Sequence, residues 1–216
     1  MRKLILVSLL FLGSVFHSQA QQEAVTRDGK VVILLDNGTW KYAEKLIQQA
    51  EELAPKAQKI APDAPVSIKD NQLESMVFIE GPSPKLQKYF KVKNIVRAEC
   101  TLSGKEGKAH LKINWKVQTS EAFSYFGYIK KGSSLSLELL NGETIELFFT
   151  EEVEPKEFTK YGFSTYQSNV VLTNEQVNLL QSGIIKKSTM NWGRRSEEYT
   201  IKNPAYFITE LPKILK

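Results

Sequence analysis

Beyond Val66, apolar and polar residues alternate with a period of two through most of the chain, which is the signature of half-buried strands. Leu135, Leu137 and Leu139 alternate with polar neighbours, Asn141-Gly142 follows, and Ile145, Leu147 and Phe149 resume the alternation. That segment reads as a hairpin with one buried face. Lys108, His110, Lys112, Asn114 and Lys116 alternate in the same way with Ala109, Leu111, Ile113, Trp115 and Val117, so His110 belongs on the polar face beside the lysines. The pattern predicts strands over 75–79, 90–102, 109–118, 123–129, 134–140, 143–149, 163–172 and 184–191. In the 123–129 segment, Phe123, Tyr125, Phe126 and Tyr128 would place rings on both faces. Burial at a sheet interface or against a partner would explain that, and a sugar-stacking wall is the alternative.

The period lengthens to three and four in a few places. Leu46, Ile47, Ala50, Leu53, Ala54, Ala57 and Ile60 form an amphipathic helical stripe, interrupted at Pro55, which removes a backbone donor and clashes with the preceding turn. Pro62, Asp63, Ala64 and Pro65 then make either a linker or a packed irregular connection. Thr173-Asn174-Glu175-Gln176 has the form of a capping box, in which Thr173 and Gln176 satisfy each other's backbone amides at a helix start. Val177, Leu179 and Leu180 line one side of that helix, and Gly183 is placed to end it in a left-handed conformation. Pro204 precedes a short closing helix with Tyr206, Phe207, Leu211, Ile214 and Leu215, broken or restarted at Pro212.

Ahead of these elements, Arg2 and Lys3 precede an apolar run from Leu4 to Phe16, and Ser18-Gln19-Ala20 supplies the small residues of a cleavage site. Residues 1–20 therefore read as a secretory signal peptide cut near Ala20, the run being short for a membrane span. Residues 24–42 read as a three-stranded meander turning at Asp28-Gly29 and Asn37-Gly38, with Trp40 and Tyr42 on one strand face. The stretch DGKVVILLDNGTWKY resembles a segment near the mature N-terminus of exported proteins of Bacteroidetes-type bacteria. The resemblance spans about fifteen residues, carries no catalytic assignment, and implies export rather than an activity. The organisation expected is a leader over 1–20, a meander and helix over 21–62, and an antiparallel β-rich domain over 66–216 with short C-terminal helices. The fold class is mainly β (α+β), with antiparallel sheets or a sandwich-like core.

Composition narrows the chemistry. With 216 residues, 42% of them hydrophobic and 25% charged, the chain has enough apolar material for an ordinary core. Losing Arg2 and Lys3 with the leader lowers the formal charge from +5 to +3, so the total charge makes no case for nucleic acid. His110 and Cys100 would be the only histidine and cysteine left, which excludes intramolecular disulfides, multi-histidine zinc sites and haem attachment. Neither a nucleophile elbow nor a phosphate-binding glycine loop is present, and no cofactor is called for. Cys100 and His110 make a conceivable thiol pair on neighbouring strands, although a buried, inert thiol is the simpler reading. Glycoside hydrolysis needs only two carboxylates positioned by the fold, so it stays open, but Glu143, Glu146, Glu151, Glu152, Glu154 and Glu157 read as a solvated acidic stretch.

One cluster remains as a candidate site. Lys186, Lys187, Arg194 and Arg195 surround Trp192, and arginine combines bidentate anion contacts with aromatic stacking. Converging, they would bind an envelope protein, an anionic glycan or a lipid head group; solvated strand ends around a core Trp192 are the plainer alternative. The function expected is thus an exported, non-catalytic binding or envelope-assembly protein with no transmembrane segment after cleavage, periplasmic or secreted. A periplasmic carboxylate-dependent glycan hydrolase and a structural envelope component are the alternatives.

Overall fold

The computed structural model describes residues 61, 63–88 and 96–216, together with three short strands between residues 22 and 42. The chain divides into two compact units, residues 1–48 and 49–216. In the first, β1 (Gln22–Val25), β2 (Val31–Leu34) and β3 (Trp40–Tyr42) form an antiparallel sheet in the order β1-β2-β3, the meander expected from the glycine turns. The leader and the helical stripe over 43–60 lie outside the described residues.

The second unit is built on two antiparallel sheets. One runs β10-β11-β7-β6 and is completed along the far edge of β6 by β4 and β5. Its strands are β4 (Asn71–Gln72), β5 (Met76–Gly81), β6 (Val96–Lys105), β7 (Lys108–Val117), β10 (Lys156–Phe158) and β11 (Phe163–Leu172). The other has the order β13-β12-β8-β9, from β8 (Ser134–Leu139), β9 (Thr144–Phe148), β12 (Ile185–Asn191) and β13 (Ser196–Tyr199). Strict alternation on β6, β7 and β11 sends one face of each strand into the core, including Ala98, Cys100 and Leu102, Leu111, Ile113 and Trp115, and Tyr166 and Val170. Leu135, Leu137, Leu147, Met190 and Tyr199 come in from the second sheet. Trp192, just past β12, joins the layers: its ring lies 5.1 Å from those of Trp115 and Tyr166. Backbone bonds link the sheets at both margins, Thr150 N to Asn169 O on one side and Lys202 N to Phe78 O on the other.

Three local expectations need correction. Residues 123–129 are not a strand: Ala122–Phe126 is a helix, followed by Gly127 at φ 69°. Tertiary contacts override the aromatic strand preference there, because Glu157 accepts from the Phe123 amide at the helix start and two arginines bond its last carbonyls. Gly183 is extended (φ −113°, ψ 129°) rather than left-handed. A Cβ at that position would stand 2.5 Å from Leu139 Cδ1, so glycine is needed for close packing rather than for positive φ. The strand expected to stop at 102 runs on to Lys105, which stands opposite Lys108 with only Glu106 and Gly107, both at positive φ, between them. The capping box of helix Asn174–Ser182 is present as expected, and the closing helix Tyr206–Glu210 passes into a 3-10 turn at Leu211–Ile214, containing Pro212. Among the described residues, no helix is long and apolar enough to cross a membrane.

Candidate functional site

The sequence singled out Trp192 and four cations around it, and the structure gives each of the five a partner within the chain. Trp192 is 5% exposed, with its indole donating to Tyr199 Oη at 2.9 Å. Tyr199 donates in turn to the buried Glu197 carboxylate, which also accepts from Ser83 Oγ and the Lys85 amide. Burial beside Glu197 pushes the Tyr199 phenol well above its ordinary range. Lys186 pairs with Glu138 at 2.7 Å and Lys187 with Glu198 at 2.6 Å. Arg194 Nη1 donates to Ser124 O, Arg195 Nε donates to Tyr125 O, and the Arg194 amide bonds Phe126 O. Trp192 is thus a core residue, as the plainer of the two sequence readings has it, and the four cations are bonded within the chain instead of converging as free charges. The arginines cap a helix C-terminus, where cations complement the exposed carbonyls, and the lysines tie strands together.

The Cys100–His110 pair also separates. Cys100 pairs in register with Ile113 and faces the core, whereas His110 pairs with Ser103 on the outer face. Burial alone pushes the Cys100 thiol far above the usual thiol range, which keeps it un-ionised and inert. The acidic residues Glu143, Glu151, Glu152 and Glu154 are exposed, as the solvated reading holds.

The groove that does form lies on the outer face of β5, β6, β7 and β11. Its volume is about 610 Å³. Register explains its composition. Glu80, Arg97, Lys116 and Thr165 fall in one row across the four strands, and Glu99, Asn114 and Gln167 in the next. Gln118 closes one end, while Trp115 and Tyr166, whose side chains turn into the core, supply the floor. The charges within it are interlocked: Arg97 Nη2 bonds Glu99 at 2.9 Å, Nη1 reaches Glu80 at 3.5 Å, and Lys202 Nζ holds the other Glu80 oxygen at 2.8 Å. Asn114, Thr165 and Gln167 add neutral donors and acceptors.

An aromatic shelf adjoins the groove. Phe158 and Phe163 stack with centroids 4.7 Å apart, Tyr161 lies 6.2 Å from Phe163 and is 67% exposed, and Lys116 Nζ sits 4.5 Å over the Phe163 ring. Lys116 thus belongs to both groove and shelf. Sequence reading missed this site because its residues come from four strands and share no linear motif; only the alternation of 108–117 pointed to the face. Compared with protein-family models, curated proteins and solved structures, the chain matches none. The site's own chemistry therefore carries the functional argument.

Proposed function

We propose that this chain is an exported, non-catalytic binding protein that holds a polysaccharide strand of the cell envelope in the groove over β5, β6, β7 and β11. The observation that carries the reading is the groove's lining, in which amides, a hydroxyl and interlocked charges stand in register beside an aromatic shelf whose outermost ring, Tyr161, is exposed. Hydroxyl groups of a sugar both donate and accept, so they match amide and carboxylate side chains. Rings such as Tyr161 offer an apolar face with a polar tip to a pyranose. Sheet faces of this kind serve other folds as oligosaccharide platforms. Export rests on the leader-like N-terminus and on the resemblance of its DGK…DNGTWKY segment to exported proteins.

Hydrolysis by a carboxylate pair is the second reading, since Glu80 and Glu99 both line the groove. Each already accepts from Arg97, and Glu80 from Lys202 as well, so neither stands free over the groove. Affinity electrophoresis of the exported protein through gels cast with a panel of neutral and acidic polysaccharides tests the proposal. Retardation by at least one polymer, lost in an Asn114→Ala/Gln167→Ala variant that still folds, is the expected result. Retardation indifferent to that variant rejects the groove, and release of reducing ends during long incubation replaces binding with hydrolysis.

A further inference from the structure

We infer that the polysaccharide is an acidic one, whose carboxylates lie along a cationic stripe on the outer face of β7. This rests on the groove being a polysaccharide site and specifies the charge of its ligand. Strand alternation places Lys108, His110, Lys112 and Lys116 on the same side of β7. With a rise of about 3.4 Å per residue, the stripe runs roughly 27 Å from the hairpin end into the groove. Across the ladder, Lys105 stands directly opposite Lys108, and Lys112 opposite Thr101.

Two features set this stripe apart from an ordinary solvated face. Among the described residues neither Lys108 nor Lys112 forms an ion pair, and the nearest acid on the hairpin, Glu106, reaches only Lys105, at 3.8 Å between two exposed side chains. Like charges directly opposed across strands destabilise a sheet, so the Lys105–Lys108 pair works against the fold. At the tip of the same hairpin Glu106 adopts φ 53°, a left-handed conformation unfavourable for a residue with a Cβ, and Asp70 Oδ1 accepts from its amide. A hairpin that carries both opposed like charges and a strained residue departs from what stability alone would select, and such departures gather where a surface has a function.

The distribution of charge selects the kind of polyanion. Toward the hairpin tip Lys105, Lys108 and Lys112 outnumber the acids Glu106 and Asp70, whereas Glu80 and Glu99 stand at the groove end with their charges met by Arg97 and Lys202. That end offers hydrogen-bonding side chains rather than a run of free cations, so a nucleic acid, with a phosphate at every residue, gains less there than a polymer that alternates charged and neutral residues. A polysaccharide that alternates uronic acid with neutral sugar can place neutral residues beside the two glutamates and its carboxylates over Lys108 and Lys112.

Isothermal titration of the full exported protein with hyaluronan, and with the same polymer after its carboxylates are reduced to alcohols, tests this. Hyaluronan is expected to bind more tightly than its reduced form, more weakly as salt is raised, and about tenfold more weakly to a Lys108→Glu/Lys112→Glu variant. The milder Lys108→Ala/Lys112→Ala variant serves if charge reversal impairs folding, and should show a smaller loss in the same direction. Equal binding of both polymers, or binding indifferent to both variants, overturns the inference while leaving the groove reading intact. Failure of both polymers to bind also overturns it, and the neutral panel with Asn114→Ala/Gln167→Ala then decides the groove reading separately. Tighter binding of duplex DNA or of vesicles containing anionic lipid would overturn the choice of a polysaccharide.

Discussion

Two sets of cations occupy this molecule, and they differ in what surrounds them rather than in residue type. Lys186, Lys187, Arg194 and Arg195 lie close together in sequence next to a tryptophan, yet each is bonded to a carboxylate or a backbone carbonyl of its own chain. Lys108 and Lys112 are separated by alternating apolar residues and attract no notice as a cluster, yet neither finds an acidic partner among the described residues. Proximity in sequence is therefore a poor guide to available charge. A cation used by the fold leaves little for a ligand, whereas one held on a rigid strand with no partner can be met by an external anion.

The sharpest way to break this comparison is to show that the Trp192 region is dispensable. Trp192→Ala removes a ring that touches Trp115, Phe126 and Tyr166 and leaves the Tyr199 hydroxyl without its donor. A loss of about 3–5 kcal/mol in urea unfolding is expected, as for other large-to-small core changes. A loss below about 1 kcal/mol would mean that the tryptophan is not structural, which would reopen a surface role. The same logic applies at smaller scale to Arg195→Ala, which removes the guanidinium donor to the Tyr125 carbonyl at the end of helix Ala122–Phe126. About 1 kcal/mol is expected from a charged hydrogen bond at a half-exposed site. Arg195→Lys should recover little of it, because the flexible ammonium does not reproduce the guanidinium geometry.

These effects mark the limit of sequence reading. The strands on either side of Asn141-Gly142, the alternating strand of 108–117 and the capping box at Thr173 were legible because each is set by local periodicity or by a three-residue spacing. The helix at 122–126 was not legible, since its caps come from Glu157, Arg194 and Arg195, as much as 70 residues away. Burial of Trp192 was foreseen as the plainer alternative, but its partners were not, since they are Tyr199 and rings of the facing sheet. The groove escaped for the same reason: Glu80, Arg97, Asn114 and Gln167 become neighbours only through the order β5-β6-β7-β11. Alternation told which face each residue takes, but not which strands lie side by side.

A smaller effect separates a neutralised cation from an available one spectroscopically. Lys186 donates to Glu138 and holds its carboxyl below the usual carboxylate range, first through that hydrogen bond and then through its charge. Because the folded value is lowered, the contribution to stability is complete above the unfolded pKa and is lost as pH falls through the folded one. Carboxyl NMR titration should show the Glu138 midpoint rising in Lys186→Ala. A midpoint that does not move would mean that the pair is absent in solution, and the first set of cations would then be as available as the second.

The smallest expected effect carries the most weight for the comparison. Lys108→Ala/Lys112→Ala removes two charges that stabilise nothing visible in the fold and relieves the opposition between Lys105 and Lys108. Thermal or urea unfolding should therefore change by no more than about 0.5 kcal/mol, with any shift toward greater stability. A loss well beyond that would show that these lysines are tied into the structure after all, as Lys186 and Lys187 are. An unchanged or slightly more stable protein that has lost affinity for an acidic polymer would instead show that the stripe is retained at the expense of stability, the behaviour expected of a surface shaped by what it binds.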